Sequence, residues 1–89
     1  MAQVKLTPTA LHELRSLPKV VRDRVNKVLV RLANWPNVSG IKALTGPWAG
    51  HYRIRTGDYR IIFRITSGED GGTVVLVVKI GHRDDVYDE

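Results

Sequence analysis

Two spacings of apolar residues run along this chain, a helical one of about 3.6 residues in its first part and a strand-like one of about 2 in its second. Gln3-Val4-Lys5-Leu6 is a short alternating run that predicts a strand. Thr7-Pro8 then opens a helix, with the hydroxyl as N-cap and proline at the first helical position. Leu11 and Leu14 are expected to share one face of it. Leu17-Pro18 breaks this helix, because a residue before proline avoids helical geometry, and Pro18 starts a longer one. There Val21, Val25, Val28, Leu29 and Leu32 form one apolar stripe, with Arg22, Arg24, Lys27 and Arg31 mostly off it. The short connection predicts an antiparallel helical hairpin, ended by Asn34-Trp35-Pro36-Asn37.

Glycine and proline punctuate residues 37–50, which read as irregular loop. Three strands follow. In the first, Tyr52 and Ile54 alternate with His51, Arg53 and Arg55, giving one apolar and one basic face. In the second, Tyr59, Ile61, Phe63 and Ile65 make the apolar face, and Arg60, Ile62 and Arg64 occupy the other. A two-residue turn at Thr56-Gly57 would pair Arg55 with Asp58, Ile54 with Tyr59 and Arg53 with Arg60, which gathers the arginines on one side. Ser67 to Gly72 reads as a flexible loop. Thr73 to Ile80 is apolar on both faces, as a central strand covered on each side would be. The expected order is β-α-α-β-β-β, an α+β fold with a helical hairpin packed on a mostly antiparallel sheet. With no repeat and no linker, residues 1–89 read as a single domain.

Charge changes the picture more than composition does. Fourteen Lys and Arg against nine Asp and Glu leave a net charge of +5, which suggests an anionic partner: nucleic acid, an acidic protein, or both. The absence of cysteine excludes disulfides and thiolate metal sites. Met1-Ala2-Gln3-Val4-Lys5 lacks the apolar stretch of a signal peptide, and no apolar run approaches the roughly 18 residues of a membrane span. The expected location is the cytoplasm.

Arginines placed opposite each other on a sheet repel, so folding alone does not favour the arrangement. Guanidinium groups bind phosphate in fixed bidentate geometry, and Arg53 and Arg60, with Arg55 nearby, suggest a phosphodiester chain. The alternative is that these side chains lie over apolar neighbours and solubilise the sheet, which is the reading favoured for Arg64. Arg83 follows the central strand, where a rigid scaffold commonly carries functional groups. Tyr87 can stack on a base or exchange a proton, or else pack on the core edge. His82 can do acid–base work or bond the backbone through its ring. His51 alternates with Arg53 and so lines the basic face, whereas His12 reads as solvated surface. Asp84, Asp85, Asp88 and Glu89 form an acidic tail without ligand spacing, so no metal site is expected. The sequence has neither a Ser-His-Asp signal nor a glycine-rich phosphate loop.

Lys42-x-Leu44-x-Gly46, then Gly50-x-Tyr52-Arg53-Ile54-Arg55-x-Gly57-Asp58-Tyr59-Arg60, and finally Gly81-His82-Arg83-x-x-Val86-Tyr87 resemble the RelE branch of the RelE/ParE toxin superfamily. The resemblance covers the C-terminal half closely and the helical hairpin in kind. It implies a small basic RelE-like toxin of a toxin–antitoxin pair. Such a toxin enters the ribosomal A site and cuts mRNA by 2′-hydroxyl attack on the adjoining phosphate, without metal or other cofactor. It further implies a RelB-like, acidic antitoxin, operator DNA bound only through the toxin–antitoxin complex, and no membrane partner.

Carried over by position, Arg53 and Arg55 match two basic residues that hold and activate the RNA, and Arg60 the arginine that stabilises the phosphate. Arg83 matches a second catalytic arginine that helps the leaving group, and Tyr87 a tyrosine that stacks on or orients the base. Lys42, His51 and His82 are expected to contact the RNA. Some members carry lysines where Arg53 and Arg55 stand. Arginine stays protonated below about pH 12, so both are cast as electrostatic stabilisers; if the protein supplies a base, His82 is the candidate and Tyr87 the reserve. The other functional classes are a ParE-like inhibitor of DNA gyrase on the same fold and a non-toxic nucleic-acid-binding module. The set Arg60, Arg83 and Tyr87 favours the nuclease over the gyrase inhibitor.

Overall fold

Thr7 and Pro8 start the helical layer as the sequence implies: the Thr7 side-chain oxygen accepts the Ala10 N–H at 3.2 Å, and proline is the first helical residue. In the computed structural model, which describes residues 2–84, helix α1 spans Pro8–Arg15 and helix α2 spans Lys19–Leu32. Val25, Val28, Leu29 and Leu32 are buried and Val21 packs beside them, so the predicted stripe is the core face of α2. The face of α1 differs from expectation. Ala10 is fully buried while Leu11 is 37% exposed. Ala10, Leu14 and Leu17 follow i, i+4, i+7 spacing into the core, and Leu11 lies one position round from Ala10.

The strands are β1 (Gln3–Leu6), β2 (Lys42–Ala43), β3 (Tyr52–Thr56), β4 (Tyr59–Ser67) and β5 (Thr73–His82), in the sheet order β1-β5-β4-β3-β2. Only β1 and β5 pair in parallel. Both edges of β5 are therefore occupied, as its two apolar faces predict. The stretch read as loop contains β2, where Lys42 pairs with Arg53 and Ala43 with Tyr52, and a 3₁₀ turn at Gly46–Trp48. A two-residue strand has no period to detect.

The β3–β4 turn also differs from expectation. Gly57-Asp58, not Thr56-Gly57, are its central residues, because Thr56 pairs with Tyr59. Gly57 has φ +58° and Asp58 does not have positive φ, the backbone of a type II′ turn with glycine first. The pairing thus moves by two residues: Arg55 faces Arg60, Ile54 faces Ile61, Arg53 faces Ile62 and Tyr52 faces Phe63. A two-residue shift preserves the face of every side chain and changes only its partner.

Tyr52, Ile54, Ile61, Phe63, Val75, Val77 and Ile80 meet the helices in the main core. Trp35, Tyr52 and Phe63 form an aromatic cluster there, with ring centroids 5.0 to 5.7 Å apart. A bulge lets β5 contribute three residues to that face: Ile62 pairs with Lys79 but Phe63 with Val77, leaving Val78 as the extra residue. On the opposite face Leu44 and Ile62 are buried in a smaller cluster with Trp48 and Val78.

Beyond Leu6, which pairs with Val77, β5 has outrun β1. Glu13 of α1 takes over. Its Oε1 accepts the Ile80 N–H at 2.9 Å, and its Oε2 lies 2.7 Å from the Lys79 ammonium. Among the described residues, no helix is long and apolar enough to cross a membrane.

Two substitutions test this packing by chemical denaturation. Phe63→Ala, at a fully buried ring, should lower the unfolding free energy by about 3–5 kcal/mol. Thr7→Ala, which removes the cap of α1, should lower it by about 1 kcal/mol.

Candidate functional site

Strand alternation decides which side chains share the face turned away from the helices. On β3 they are Arg53 and Arg55, and on β4 they are Arg60, Ile62 and Arg64. Cross-strand pairing arranges them in two rows. Lys42, Arg53 and Ile62 are aligned in one, continued in register by Lys79, whose ammonium is engaged by Glu13 of α1, and Arg55, Arg60 and Gly81 in the next. Directly opposed residues have Cβ atoms about 5 Å apart. Arg55 and Arg60 therefore start from directly opposed positions, from which both guanidinium groups can reach one anion, and their mutual repulsion is relieved when they do.

Arg60 has a second requirement. Its Nε is buried, and no group among the described residues accepts from it. A buried donor left without an acceptor costs about 1–3 kcal/mol, so the fold holds this guanidinium in place at the expense of stability. Arg55 and Arg64 are exposed, whereas Arg53 is only 7% exposed. Arg83 follows β5, and its N–H donates to the Asp58 carbonyl at 2.8 Å. That bond anchors the Arg83 backbone at the turn joining the strands of Arg55 and Arg60.

The remaining residues singled out from sequence are placed less uniformly. His51 precedes β3, with its ring 5.2 Å from that of Trp48 in an edge-to-face contact. His82 pairs with Tyr59, ring to ring at 5.4 Å, and its Nδ1 lies 3.2 Å from the Asp84 backbone nitrogen and 3.3 Å from its carboxylate. Two hollows of about 390 and 380 Å³ flank this pair. Val21 and Arg24 line one, and His12 and Glu13 the other, so His82 belongs to the helix side of the sheet. The fold does not bring it to Arg55 and Arg60. Tyr87 lies outside the described residues, as do Asp85, Val86, Asp88 and Glu89. Among the described residues, His, Asp and Glu form no group of three that could hold a metal ion.

Two residues near the site are not marked by sequence pattern. Glu13 looked like ordinary helix surface, since only the tertiary fold brings it to the end of β5. Trp48 carried a weak signal, a large aromatic inside the turn-rich Gly46-Pro47-Trp48-Ala49-Gly50.

The family described as ParE toxin of type II toxin–antitoxin system, parDE, matches residues 4–87. Toxin RelG of Mycobacterium tuberculosis is 33% identical over 85 residues, which are 94% of this chain and 93% of that protein. The mRNA interferase toxin RelE of Escherichia coli is 30% identical over 82 residues, 90% of this chain and 83% of its own. Among solved structures, a chain of the RelBE2 toxin–antitoxin complex of Mycobacterium tuberculosis superposes with a TM-score of 0.77. It is 30% identical, and the match covers 94% of this chain and 93% of that one.

The opposed arginine pair predicts a stability cost in the absence of an anion. Arg55→Gln should raise the unfolding free energy by about 0.5 kcal/mol at low ionic strength. At about 1 M salt, where screening acts within about 3 Å, the gain should vanish. Denaturant titrations at the two salt concentrations measure both.

Proposed function

The chain belongs to the ParE toxin family of type II toxin–antitoxin systems and is a RelE-type toxin, and from that premise we propose that it is an endoribonuclease that cuts mRNA in the ribosomal A site and so stops translation. The observation that carries the proposal is the direct opposition of Arg55 and Arg60, with the Arg60 Nε buried and without an acceptor among the described residues. Relatives named mRNA interferases at 30% identity support it.

In the proposed step the 2′-hydroxyl oxygen attacks the adjoining phosphorus. The 2′-oxygen–phosphorus bond forms as the phosphorus–5′-oxygen bond breaks. One proton leaves the 2′-hydroxyl, one reaches the departing 5′-oxygen, and a cyclic phosphate remains on the first fragment. No metal is required, because the nucleophile belongs to the substrate and the arginines stabilise the charge. Arg55 and Arg60 hold the dianionic phosphorane, Arg83 assists the departing oxygen, and Arg53 and Lys42 in the adjoining row raise the local positive potential. Holding the attacking oxygen in line supplies much of the remaining acceleration, and the ribosome contributes to that alignment. Guanidinium groups do not serve as the base. The helix-side position of His82 does not support that role for it, which leaves Tyr87 or a ribosomal group.

The natural inhibitor in this reading is a RelB-like acidic antitoxin, complementary to a toxin of net charge +5. The outer edge of β1 and the apolar groove beside it, lined by Val4, Leu6, Leu29, Val30 and Ala33, suit an added strand or helix of that partner. Operator DNA is bound by the complex and not by the toxin alone. The place of action is the cytoplasm.

Primer extension on mRNA, with and without programmed ribosomes, tests the proposal. Cuts should map to the A-site codon and require the ribosome. Arg60→Ala should reduce them by roughly 100-fold or more, the effect of removing one transition-state donor. Cuts in naked RNA would retain the nuclease and discard ribosome dependence. If the folded, toxic protein cuts nothing, inhibition of DNA gyrase becomes the better account.

A further inference from the structure

Among the described residues the arginine face carries one large aromatic side chain, and its setting differs from that of the chain's other tryptophan. Trp35 packs into the main core against Tyr52 and Phe63. Trp48 lies on the opposite face, packed against the small cluster of Leu44 and Ile62, and stays partly exposed. Ile62 belongs to the same face of β4 as Arg60, two residues away, which is about 6.7 Å along a strand. Leu44 lies opposite His51, at the end of β3 away from Arg55, so the indole sits on the Leu44 side of Ile62, where a neighbouring nucleotide of a strand held at Arg55 and Arg60 would pass.

Its position is fixed from several sides. The loop that carries it closes through the Leu44 N–H to the His51 carbonyl at 2.9 Å. The His51 N–H to the Trp48 carbonyl and the Ala49 N–H to the Gly46 carbonyl, both 3.0 Å, complete the closure. The His51 ring meets the indole edge-to-face, at 83° between planes. A held aromatic ring loses little freedom when a second ring stacks on it. Sites for single-stranded nucleic acid pair a cationic track with such rings, because every base has a π face.

We infer that Trp48 is the stacking platform for one unpaired nucleobase of the RNA strand whose phosphate lies between Arg55 and Arg60. This rests on the RNA reading above and gives the site a contact to a base, where the arginines supply contacts to phosphate.

The test separates stacking from packing. Trp48→Leu keeps an apolar cover over Ile62 but has no π face, and Trp48→Phe keeps both. Cleavage on programmed ribosomes is measured with messages carrying a single abasic nucleotide at each position flanking the cut. Trp48→Leu should cut the unmodified message about tenfold less efficiently than wild type, the scale of one stacked base. It should match wild type when the contacted position is abasic. Trp48→Phe should stay within about threefold of wild type throughout, and both variants should unfold near the wild-type midpoint. Equal cleavage by Trp48→Leu and wild type, or a loss that persists at every abasic position, would overturn the platform and leave the nuclease standing. A wild-type protein that cuts nothing would remove the RNA reading and the platform together.

Discussion

A single residue with left-handed backbone sets the register on which both faces of the sheet depend. Gly57, at φ +58°, closes a two-residue turn that pairs Thr56 with Tyr59. Glycine reaches this conformation without the Cβ clash that penalises other residues. Every contact that follows along β3 and β4 is counted from there. One parity delivers Tyr52, Ile54, Ile61 and Phe63 to the helices, and the other delivers Arg53, Arg55 and Arg60 to the opposite face. A slip of one residue would bury the arginines and expose the core.

The two faces place different demands on the same strands. The helix side is a continuous core in which Phe63, Ile61 and Ile54 are almost wholly inaccessible to solvent. The arginine side has only the small cluster of Leu44, Ile62, Trp48 and Val78. That cluster gives the sheet apolar cover without filling the face. The bulge at Val78 reconciles the two along β5, since Val75, Val77 and Ile80 all reach the main core although their spacing is not uniformly two. Glu13 then secures the strand where β1 no longer reaches it, and so ties the helical layer to the segment that leads into Arg83. The Arg83 N–H to the Asp58 carbonyl closes the circuit back to the turn.

The proposed chemistry suits so small a scaffold. Cleavage by an internal 2′-hydroxyl needs no protein nucleophile, only positive charge held where charge develops and a strand held in line. Like charges forced together by a sheet provide the first without a deep pocket. The arrangement opposes the stability of the free protein, as functional sites commonly do, and the cores on both faces of the sheet offset it. The aromatic platform at Trp48 adds what guanidinium groups lack, a surface for a base.

The sequence alone determined the fold class, the helix boundaries at Thr7-Pro8 and Leu17-Pro18, the apolar stripe of α2 and the gathering of arginines on one face. These follow from local rules: proline geometry, a hydroxyl cap, and side-chain periods of 3.6 and 2. The central place of β5 was legible for the same reason, since a strand apolar on both faces has to be covered on both. Tertiary structure decided the rest. The partners of Arg53 and Arg60 depended on which two residues form the turn, and glycine is admissible at either central position of a hairpin turn. Ala10 displaced Leu11 from the core because Ala10, Leu14 and Leu17 make up the face of α1 that packs on the core. The short pairing at Lys42 and Ala43, the Glu13 clamp and the side of the sheet that His82 occupies arise from contacts between residues distant in the chain. Period and composition register only what neighbours in sequence share, and those contacts leave no trace in either.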